Sequence, residues 1–415
     1  MTPTRVHSGG KTASPSTARA INDRLALGFL QREGPLTAGQ LKTLTGLSRP
    51  TVADLVERLQ DAHLITVVGE AGAERRGPNA RLYGIVADRA HLAGVDVRTD
   101  SVSVCVADLL GRTLAEASLP IDAKTASAPG GPDAGLPAVE AAVELLTRTA
   151  AQAGAVPLHS VGVGAPGLLD PVTGTLGHTG WLPQWHTALV TALRERFPTQ
   201  LLLENEANLA AVAEQRLGAA RDRDTFVLLW LGGGTGAAVV LDGVLRRGAS
   251  GGAGEIGFLP VPGTGKLPAW TGCEGGFHSL AGGPGLCALV RSHGLASEGV
   301  DIHAAEQALR SAVAAVQGSE GAAVEDAFLD AYADGVAIGA AAVSAVLDPG
   351  CVVIGGETGL AGGDELARRV QERVARMSPV RLEVRAGTMG GAAVLRGAVL
   401  TAMDAAQDDL FAPES

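Results

Sequence analysis

The chain has 415 residues, of which 46% are hydrophobic, 19% are charged and 3% are aromatic. This length favours two or three folded units, and the composition is that of a packed globular protein rather than a disordered one. A net charge of −11 argues against a protein that coats nucleic acid along its whole length. The four cysteines lack CxxC spacing, so they indicate neither a disulfide framework nor a metal knuckle and favour a reducing cytoplasm.

The charge is unevenly distributed along the chain. Residues 1–90 hold 12 Lys/Arg and 8 Asp/Glu, a net of +4, whereas the remaining residues hold 21 and 36, a net of −15. A basic head on an acidic body suits a protein that touches DNA at one end, although +4 alone does not exclude chance. Residues 1–17 are rich in Ser, Thr, Gly and Pro and are predicted to form a flexible lead. No secretion signal or uninterrupted 18-residue apolar run is found, so a cytoplasmic protein is expected.

Three helices are predicted in the head, beginning near Ala18. Gly34-Pro35 ends the first helix, and Thr37 is the predicted N-cap of the second. The third follows a tight turn at Gly46, with Ser48 as its N-cap and Pro50 in its first turn. Apolar spacing gives the first helix one apolar stripe of Ile21, Leu25, Phe29 and Leu30 and places Leu41 and Leu44 on the second. The buried side of the third helix is predicted to carry Val52, Leu55, Val56 and Leu59.

Two strands, at 64–68 and 81–85, follow these helices and flank a polar, Gly-rich loop over 69–80. Three helices with a β-hairpin predict a winged helix-turn-helix over residues 18–87. The third helix would lie in the major groove of DNA, where the side chains at its start reach base edges and phosphates. The candidate DNA-binding residues are Ser48, Arg49, Pro50 and Thr51 on this helix and Arg75, Arg76 and Asn79 on the wing. The alternative is a small helical domain that binds another protein.

From Leu92 onward, strands alternate with helices, which predicts an α/β body over residues 88–405. Residues 406–415 are predicted to be a frayed acidic tail. The predicted strands are 92–97, 102–107, 161–165, 201–203, 226–231 and 351–354, and the predicted helices include 138–153, one after residue 204 to about 217, and 390–405.

The motifs of the chain resemble those of the ROK family (repressors, open reading frames and sugar kinases), specifically its transcriptional-regulator branch. They are "LTGLSRPTVADLVERLQDAHLI", "VGAPGLLD", "WLPQW", "ENEANLAAVAEQ", "GGAGEIGF" and "VVIGGE". The resemblance covers nearly everything from residue 18 to 405. It implies an actin/hexokinase-like ATPase fold, in which two α/β lobes enclose a cleft.

The resemblance also implies that kinase chemistry is lost. The family's first phosphate loop, DxGGTK, reads here as residues 96–100, Asp-Val-Arg-Thr-Asp, without its glycines, and Asp100 is expected to repel a polyphosphate. A second Gly-rich loop, residues 232–236, is intact but is equally consistent with a structural turn. The family's catalytic Asp in ENDAN is replaced by Glu206, whose extra methylene displaces the carboxylate. No catalytic residue and no cofactor are therefore predicted.

The family's zinc ligands are absent at the matching positions. The His of GExGH is Phe258, and the three Cys positions become Ala269, Thr271 and Gly276. Cys273 remains nearby, but together with one histidine it does not complete a tetrahedral zinc site. No metal is expected.

The resemblance implies a partly retained sugar pocket. The candidate ligand-binding residues are Asn205, Glu206, Glu255, His278 and Trp181. Trp181 either stacks on a sugar face or packs in the protein, and Trp185 is expected to pack. The altered pocket could take an unusual sugar, a sugar derivative, another metabolite or nothing.

Together these features predict a homo-oligomeric, dimeric repressor of carbohydrate-related genes that binds an inverted-repeat operator in double-stranded DNA. A sugar or related effector would alter the spacing of the two heads. The alternatives are a sugar kinase with an accessory head, and a ligand-independent DNA-binding regulator with a vestigial body.

Overall fold

The computed structural model describes residues 15–71, 80–121, 136–170, 173–175, 184–296, 299–318 and 322–412. Contacts group the chain into two compact units. The head unit comprises residues 1–92, 107–114 and 403–415, and the body unit comprises residues 93–106 and 115–402. The head unit is thus larger than the 18–87 segment predicted from sequence, because two distant segments join it.

Three helices form the head as predicted: α1 (Pro15–Glu33), α2 (Ala38–Thr45) and α3 (Arg49–Asp61). A capping box starts α2, in which the Gln40 N–H donates to Thr37 Oγ1 at 3.2 Å and the Thr37 N–H donates to Gln40 Oε1 at 2.9 Å. Gly46, with a φ of 70°, ends α2 in the left-handed conformation that glycine adopts readily. The buried residues of α3 are the four predicted, Val52, Leu55, Val56 and Leu59.

Only the C-terminal part of the apolar stripe predicted for α1 faces the core. Leu30 is buried and Phe29 is half-buried, but Ile21 and Leu25 are 59% and 39% exposed, and the buried positions Ala26 and Leu27 lie outside the predicted stripe. In a helix of 3.6 residues per turn, residues four positions apart differ by about 40° in direction. A row of residues at this spacing therefore turns gradually away from the surface against which the helix packs. The periodicity therefore predicts the helix but not its contact face.

A three-stranded antiparallel sheet completes the head, in the order β1 (Leu36–Thr37), β3 (Ala80–Ile85) and β2 (Ile65–Ala71). The pairing of β2 with β3 confirms the predicted hairpin, with a register shift between Val67 and Gly69. The two-residue β1 was not predicted, because it is too short to show a periodic pattern.

The first lobe of the body is built on the sheet β6-β5-β4-β7-β8. Its elements are β4 (His91–Val97), β5 (Ser101–Asp108), β6 (Thr113–Pro120), α4 (Leu136–Gln152), β7 (Ser160–Ala165), α5 (Gln184–Arg196) and β8 (Gln200–Asn205). Strands β7 and β8 are parallel. Trp185 of α5 is fully buried in the core of this lobe, as predicted.

The second lobe is built on the mixed sheet β11-β10-β9-β12-β13. Its elements are α6 (Glu206–Arg216), β9 (Phe226–Leu231), β10 (Thr235–Leu241), β11 (Val244–Arg246), α7 (His278–Ala281), α8 (Gly283–Ser292), α9 (Ile302–Gly318), α10 (Ala323–Leu347), β12 (Cys351–Gly355), α11 (Gly356–Met377) and β13 (Glu383–Ala386). The C-terminal helix α12 (Ala393–Leu410) lies against β4 and β7 of the first lobe, where Ser160 Oγ donates to the Ala402 carbonyl at 2.8 Å. Strand β12 runs parallel to β9 and β13, and β10 runs antiparallel to β9 and β11.

Helix α10 is the one described helix that is long and apolar enough to cross a membrane. Its buried residues belong to the core of the second lobe, which is the usual reason for such a composition in a globular protein. Arg369 of α11 also donates to Asp326 and Asp330 of α10, each at 2.6 Å. The helix is therefore packed and paired on several sides within the lobe.

The C-terminal helix α12 is longer than predicted. It continues to Leu410, and Ala406, Gln407 and Phe411 are buried, so the predicted frayed tail is wrong for residues 406–411. Gln407 Nε2 donates to the Leu109 carbonyl at 2.9 Å within the head unit. The acidic composition of this segment predicted a solvent-exposed tail, because composition does not show which residues pack against the rest of the protein.

Candidate functional site

The start of α3 forms an exposed polar edge on the head. Ser48 Oγ accepts the Thr51 N–H at 3.3 Å and lies 2.7 Å from Thr51 Oγ1. Ser48, Arg49 and Pro50 are exposed, and Thr51 is half-buried. Within the described residues Arg49 has no hydrogen-bond or ion-pair partner. Its guanidinium is therefore free to donate in a bidentate manner to a phosphate or to a guanine edge.

An ion pair that the sequence did not reveal sets the position of α3. Arg58 Nη2 donates to Asp23 Oδ1 of α1 at 2.6 Å, and Arg58 also contacts Asp54 of its own helix. Together with the buried face of α3, the Arg58–Asp23 pair orients α3 relative to α1. Residues 35 positions apart share no local pattern, so sequence spacing could not predict the pair.

The remaining predicted DNA-binding residues, Arg75, Arg76 and Asn79, lie outside the described residues, as does Trp181 of the predicted sugar pocket. These four assignments stay predictions.

In the body unit, four acidic residues form what we call the carboxylate cluster: Asp96, Glu206, Glu255 and Glu357. Asp96 is on β4, Glu206 begins α6, Glu255 follows β11 and Glu357 is in the first turn of α11. The side chains of Asp96, Glu255 and Glu357 lie near enough to Glu206 to raise its pKa by charge repulsion. The structure thereby brings together the predicted ligand-binding residues Glu206 and Glu255.

Asn205 holds the start of α6 in place. Its Oδ1 accepts the Ala207 N–H at 2.8 Å, and its Nδ2 donates to the Gly167 carbonyl at 3.1 Å. The neighbouring Glu204 is buried, accepts from Asn208 Nδ2 at 2.8 Å and pairs with Arg247 at 2.6 Å. Asn205 is thus occupied as a helix cap, and these bonds orient Glu206 next to it.

Burial raises the pKa of Glu206 from 4.5 to about 7, and the carboxylates of Asp96 and Glu357 add to the effect. Burial also raises the pKa of Glu255. Neither side chain has a hydrogen-bond partner within the described residues. Because their oxygens are unpaired within the described residues, the two carboxyl groups can accept hydrogen bonds from the hydroxyls of a polyol.

Sequence reasoning missed Arg98, whose side chain lies at the carboxylate cluster. Its Nε donates to Asp96 at 3.0 Å, its Nη1 contacts Glu357, and its Nη2 donates to the Gly391 carbonyl at 2.9 Å. The sequence predicted that Asp100 would repel a polyphosphate here. In the structure the guanidinium of Arg98 spans the two lobes, whereas Asp100 is exposed. The sequence contained an indication of this contact, because an arginine stands where the family's phosphate loop has a glycine and brings a long cationic side chain into the turn.

The second Gly-rich loop, residues 232–236, connects β9 to β10. Its Gly232 N–H donates to the Gly234 carbonyl at 3.1 Å, so one of its amides is satisfied within the loop. A methyl group on Gly232 would lie 3.0 Å from Glu357 Oε2. The loop therefore faces a carboxylate, which supports the interpretation as a structural turn.

The two possible metal ligands near the family's zinc positions, Cys273 and His278, do not complete a zinc site. His278 and Cys273 both lie beside Gly257, where a methyl group would be 3.7 Å and 3.9 Å from their Cβ atoms. His278 Nδ1 is 3.2 Å from Thr235 Oγ1, and burial lowers its pKa. Across the described residues no group of three or more His, Cys, Asp or Glu could hold a metal ion.

Comparisons with known proteins agree with both halves of the chain. The ROK family model matches residues 92–405, and the MarR family model matches residues 21–76. The xylose repressor of Bacillus subtilis is 23% identical over 253 residues, which cover 60% of this chain and 62% of the repressor. A glucokinase of Halalkalibacterium halodurans is 28% identical over 253 residues, which cover 58% of this chain and 74% of the glucokinase.

A solved structure of a ROK family transcriptional regulator, a homolog of the Escherichia coli MLC protein, has the same fold. It is 20% identical, with a TM-score of 0.73, and the match covers 95% of this chain and 98% of that one. The predicted fold, a winged helix followed by a two-lobed sugar-kinase-like body, is thereby confirmed. Because the family model matches well over half of its length, the chain belongs to the ROK family.

Proposed function

We propose that this protein is a transcriptional repressor that binds operator DNA through α3 and responds to a sugar or sugar-derived metabolite bound near Glu206. It acts as a dimer on an inverted repeat and has no kinase activity. The observation that carries the proposal is the exposed start of α3, where Arg49 is unpaired within the described residues.

The DNA-binding half rests on the head. Residues 21–76 of the head match the MarR family model, and the xylose repressor is a relative of the chain. A dimer with two-fold symmetry would place two copies of α3 in successive major grooves, which requires a pseudo-palindromic operator.

The effector half rests on the carboxylate cluster. Glu206 and Glu255 present carboxyl groups that lack partners within the described residues, and a sugar supplies hydroxyl donors for such groups. A ligand that binds better to one arrangement of the dimer shifts the protein toward that arrangement, which couples the body to DNA affinity.

DNA recognition is tested by the substitution Arg49→Ala, with Arg148→Ala as the control, since Arg148 is an exposed arginine on α4. Genome-wide mapping of the bound DNA first identifies the operator. Loss of a bidentate base contact costs about 1–3 kcal/mol, so Arg49→Ala should weaken operator binding by about 5- to 150-fold in a fluorescence anisotropy titration. Unchanged affinity and base preference would contradict the assignment of Arg49.

Effector binding is tested by calorimetry with a panel of sugars suggested by the genes beside the operators. A ligand should bind the unaltered chain and the control Glu144→Gln, and should bind Glu206→Gln at least about tenfold more weakly, a change of about 1.4 kcal/mol. If no sugar or derivative binds, the body is vestigial and the sensing half of the proposal fails.

A kinase is the second candidate, favoured by the glucokinase relative and by the pKa of Glu206 near neutrality, which suits a general base. ATP consumption with hexoses and amino sugars distinguishes the two functions. Sugar-dependent turnover that disappears in Glu206→Gln would establish an enzyme and refute the proposed absence of kinase activity.

A further inference from the structure

An ion pair between Arg98 and Glu357 connects the two lobes of the body beside the Gly-rich loop 232–236. Arg98 lies in the turn between β4 and β5 of the first lobe, and Glu357 lies in the first turn of α11 in the second lobe. Arg98 Nη1 donates to Glu357 Oε1, while its Nε stays with Asp96 at 3.0 Å. The guanidinium is therefore held by one carboxylate from each lobe.

This pair also occupies the space in front of the Gly-rich loop 232–236. Oxygen Oε2 of Glu357 lies 3.0 Å from the position of a methyl group on Gly232, and Arg98 holds the other oxygen. Glycine loops that bind phosphate do so with free backbone N–H groups in an open concavity. Here the Gly232 N–H already donates to Gly234, and the concavity faces a carboxylate.

Neighbouring contacts hold the pair in place. Arg98 Nη2 donates to the Gly391 carbonyl at 2.9 Å, and the Arg98 carbonyl lies 3.3 Å from His186 Nε2. Asp100 of the same turn lies 3.7 Å from His303 Nε2 of α9 in the second lobe, and both side chains are exposed. Both ends of the guanidinium and the backbone of Arg98 are thus fixed.

We propose that Arg98 and Glu357 occupy the subsite in which nucleotide phosphates would otherwise lie, so that the body excludes nucleoside triphosphates and its lobes are joined without one. A polyphosphate would have to displace a guanidinium from two carboxylates and would then face Asp96 and Glu357 unpaired. Repulsion between like charges at this distance disfavours such an exchange. The proposal concerns the phosphate subsite alone and does not depend on sugar binding.

The test compares the binding of Mg·ATP to the full chain and to the double variant Arg98→Gly/Glu357→Gln, by calorimetry. The substitutions remove the bridging side chain and the carboxylate in front of the loop. The double variant should bind Mg·ATP at least about tenfold more tightly than the unaltered chain, a difference of about 1.4 kcal/mol. The matched control is Arg148→Gln/Glu144→Gln, which removes an exposed ion pair of α4 and should leave Mg·ATP binding unchanged.

A second variant covers the case in which the double variant does not fold, as judged by circular dichroism. Glu357→Gln alone keeps Arg98 but removes one of its two carboxylate partners, so the guanidinium becomes available to phosphate and Mg·ATP binding should again strengthen. The proposal is overturned if the unaltered chain binds Mg·ATP as tightly as the variants, or if neither folded variant binds it more tightly. A sugar titration run in parallel keeps this result separate from the outcome for the effector site.

Discussion

The carboxyl group of Glu206 makes the stability of this protein fall as pH rises, whereas an ordinary ion-paired carboxylate does the opposite. Its pKa is raised from 4.5 to about 7 in the folded chain, chiefly by burial. Below pH 4.5 the group is protonated in both the folded and the unfolded states. Between pH 4.5 and 7 the folded state binds more protons, so each rise in pH favours the unfolded state.

The size of the effect follows from the shift. At 1.36 kcal/mol per unit, the change from 4.5 to about 7 corresponds to about 3 kcal/mol, and solvent around this half-buried side chain reduces it to about 1–3 kcal/mol. Glu206→Gln keeps the size and neutral charge of the protonated form and removes the titration. The variant should therefore gain about 1–3 kcal/mol relative to the unaltered chain on going from pH 5 to pH 8.

Urea unfolding followed by circular dichroism at pH 5, 6, 7 and 8 measures this difference, with Glu144→Gln on the exposed side of α4 as the control. Comparing variant with parent cancels the titration of groups that do not interact with Glu206. Asp96 and Glu255 face Glu206, so the measured difference belongs to the coupled cluster rather than to Glu206 alone. A difference between Glu206→Gln and the parent that does not change with pH would refute the reasoning.

Two further predictions concern the head and the packing of α12. Ser48→Ala removes the N-cap of α3 and should lower the free energy of unfolding by about 1 kcal/mol, as measured by thermal unfolding. Ser48→Asp keeps a capping oxygen and should recover most of this loss. Equal stability of Ser48→Ala and the parent would count against the cap. Gly397→Ala would place a methyl group 2.0 Å from the Leu209 carbonyl oxygen and should lower the free energy of unfolding by about 1–3 kcal/mol or more. In Gly28→Ala on α1 the methyl group would lie 3.6 Å from the flexible end of Arg32, so this variant should raise the free energy of unfolding by about 0.5–1 kcal/mol. Equal melting temperatures of these two glycine variants would contradict the close approach at Gly397.

Local chemistry explains why much of the head could be predicted from sequence. The Thr37 and Ser48 caps, the turn at Gly46 and the buried face of α3 each depend on residues within a few positions of one another. Such interactions are visible as short patterns. Apolar runs extended the prediction to the body, where the six predicted strands agree with the structure to within two residues, although β6, β10, β11 and β13 were not predicted.

Contacts between distant parts of the chain could not be predicted from the sequence. The face of α1 that is buried, the extension of α12 to Leu410 and the Arg58–Asp23 pair all depend on what packs against each element. Periodicity predicts that a helix has an apolar side but does not specify the neighbour that covers it.

The candidate site divides in the same way. Sequence alone predicted Asn205, Glu206 and Glu255 as ligand-binding residues. It also showed that the first phosphate loop lacks its glycines and that Ser48 and Arg49 stand at the start of α3. Only the tertiary structure decided that Arg98 meets Glu357, because 259 residues separate them and neither belongs to a shared local pattern. Folding brings the two lobes together, and the interaction of their charges depends on that distance rather than on position along the chain.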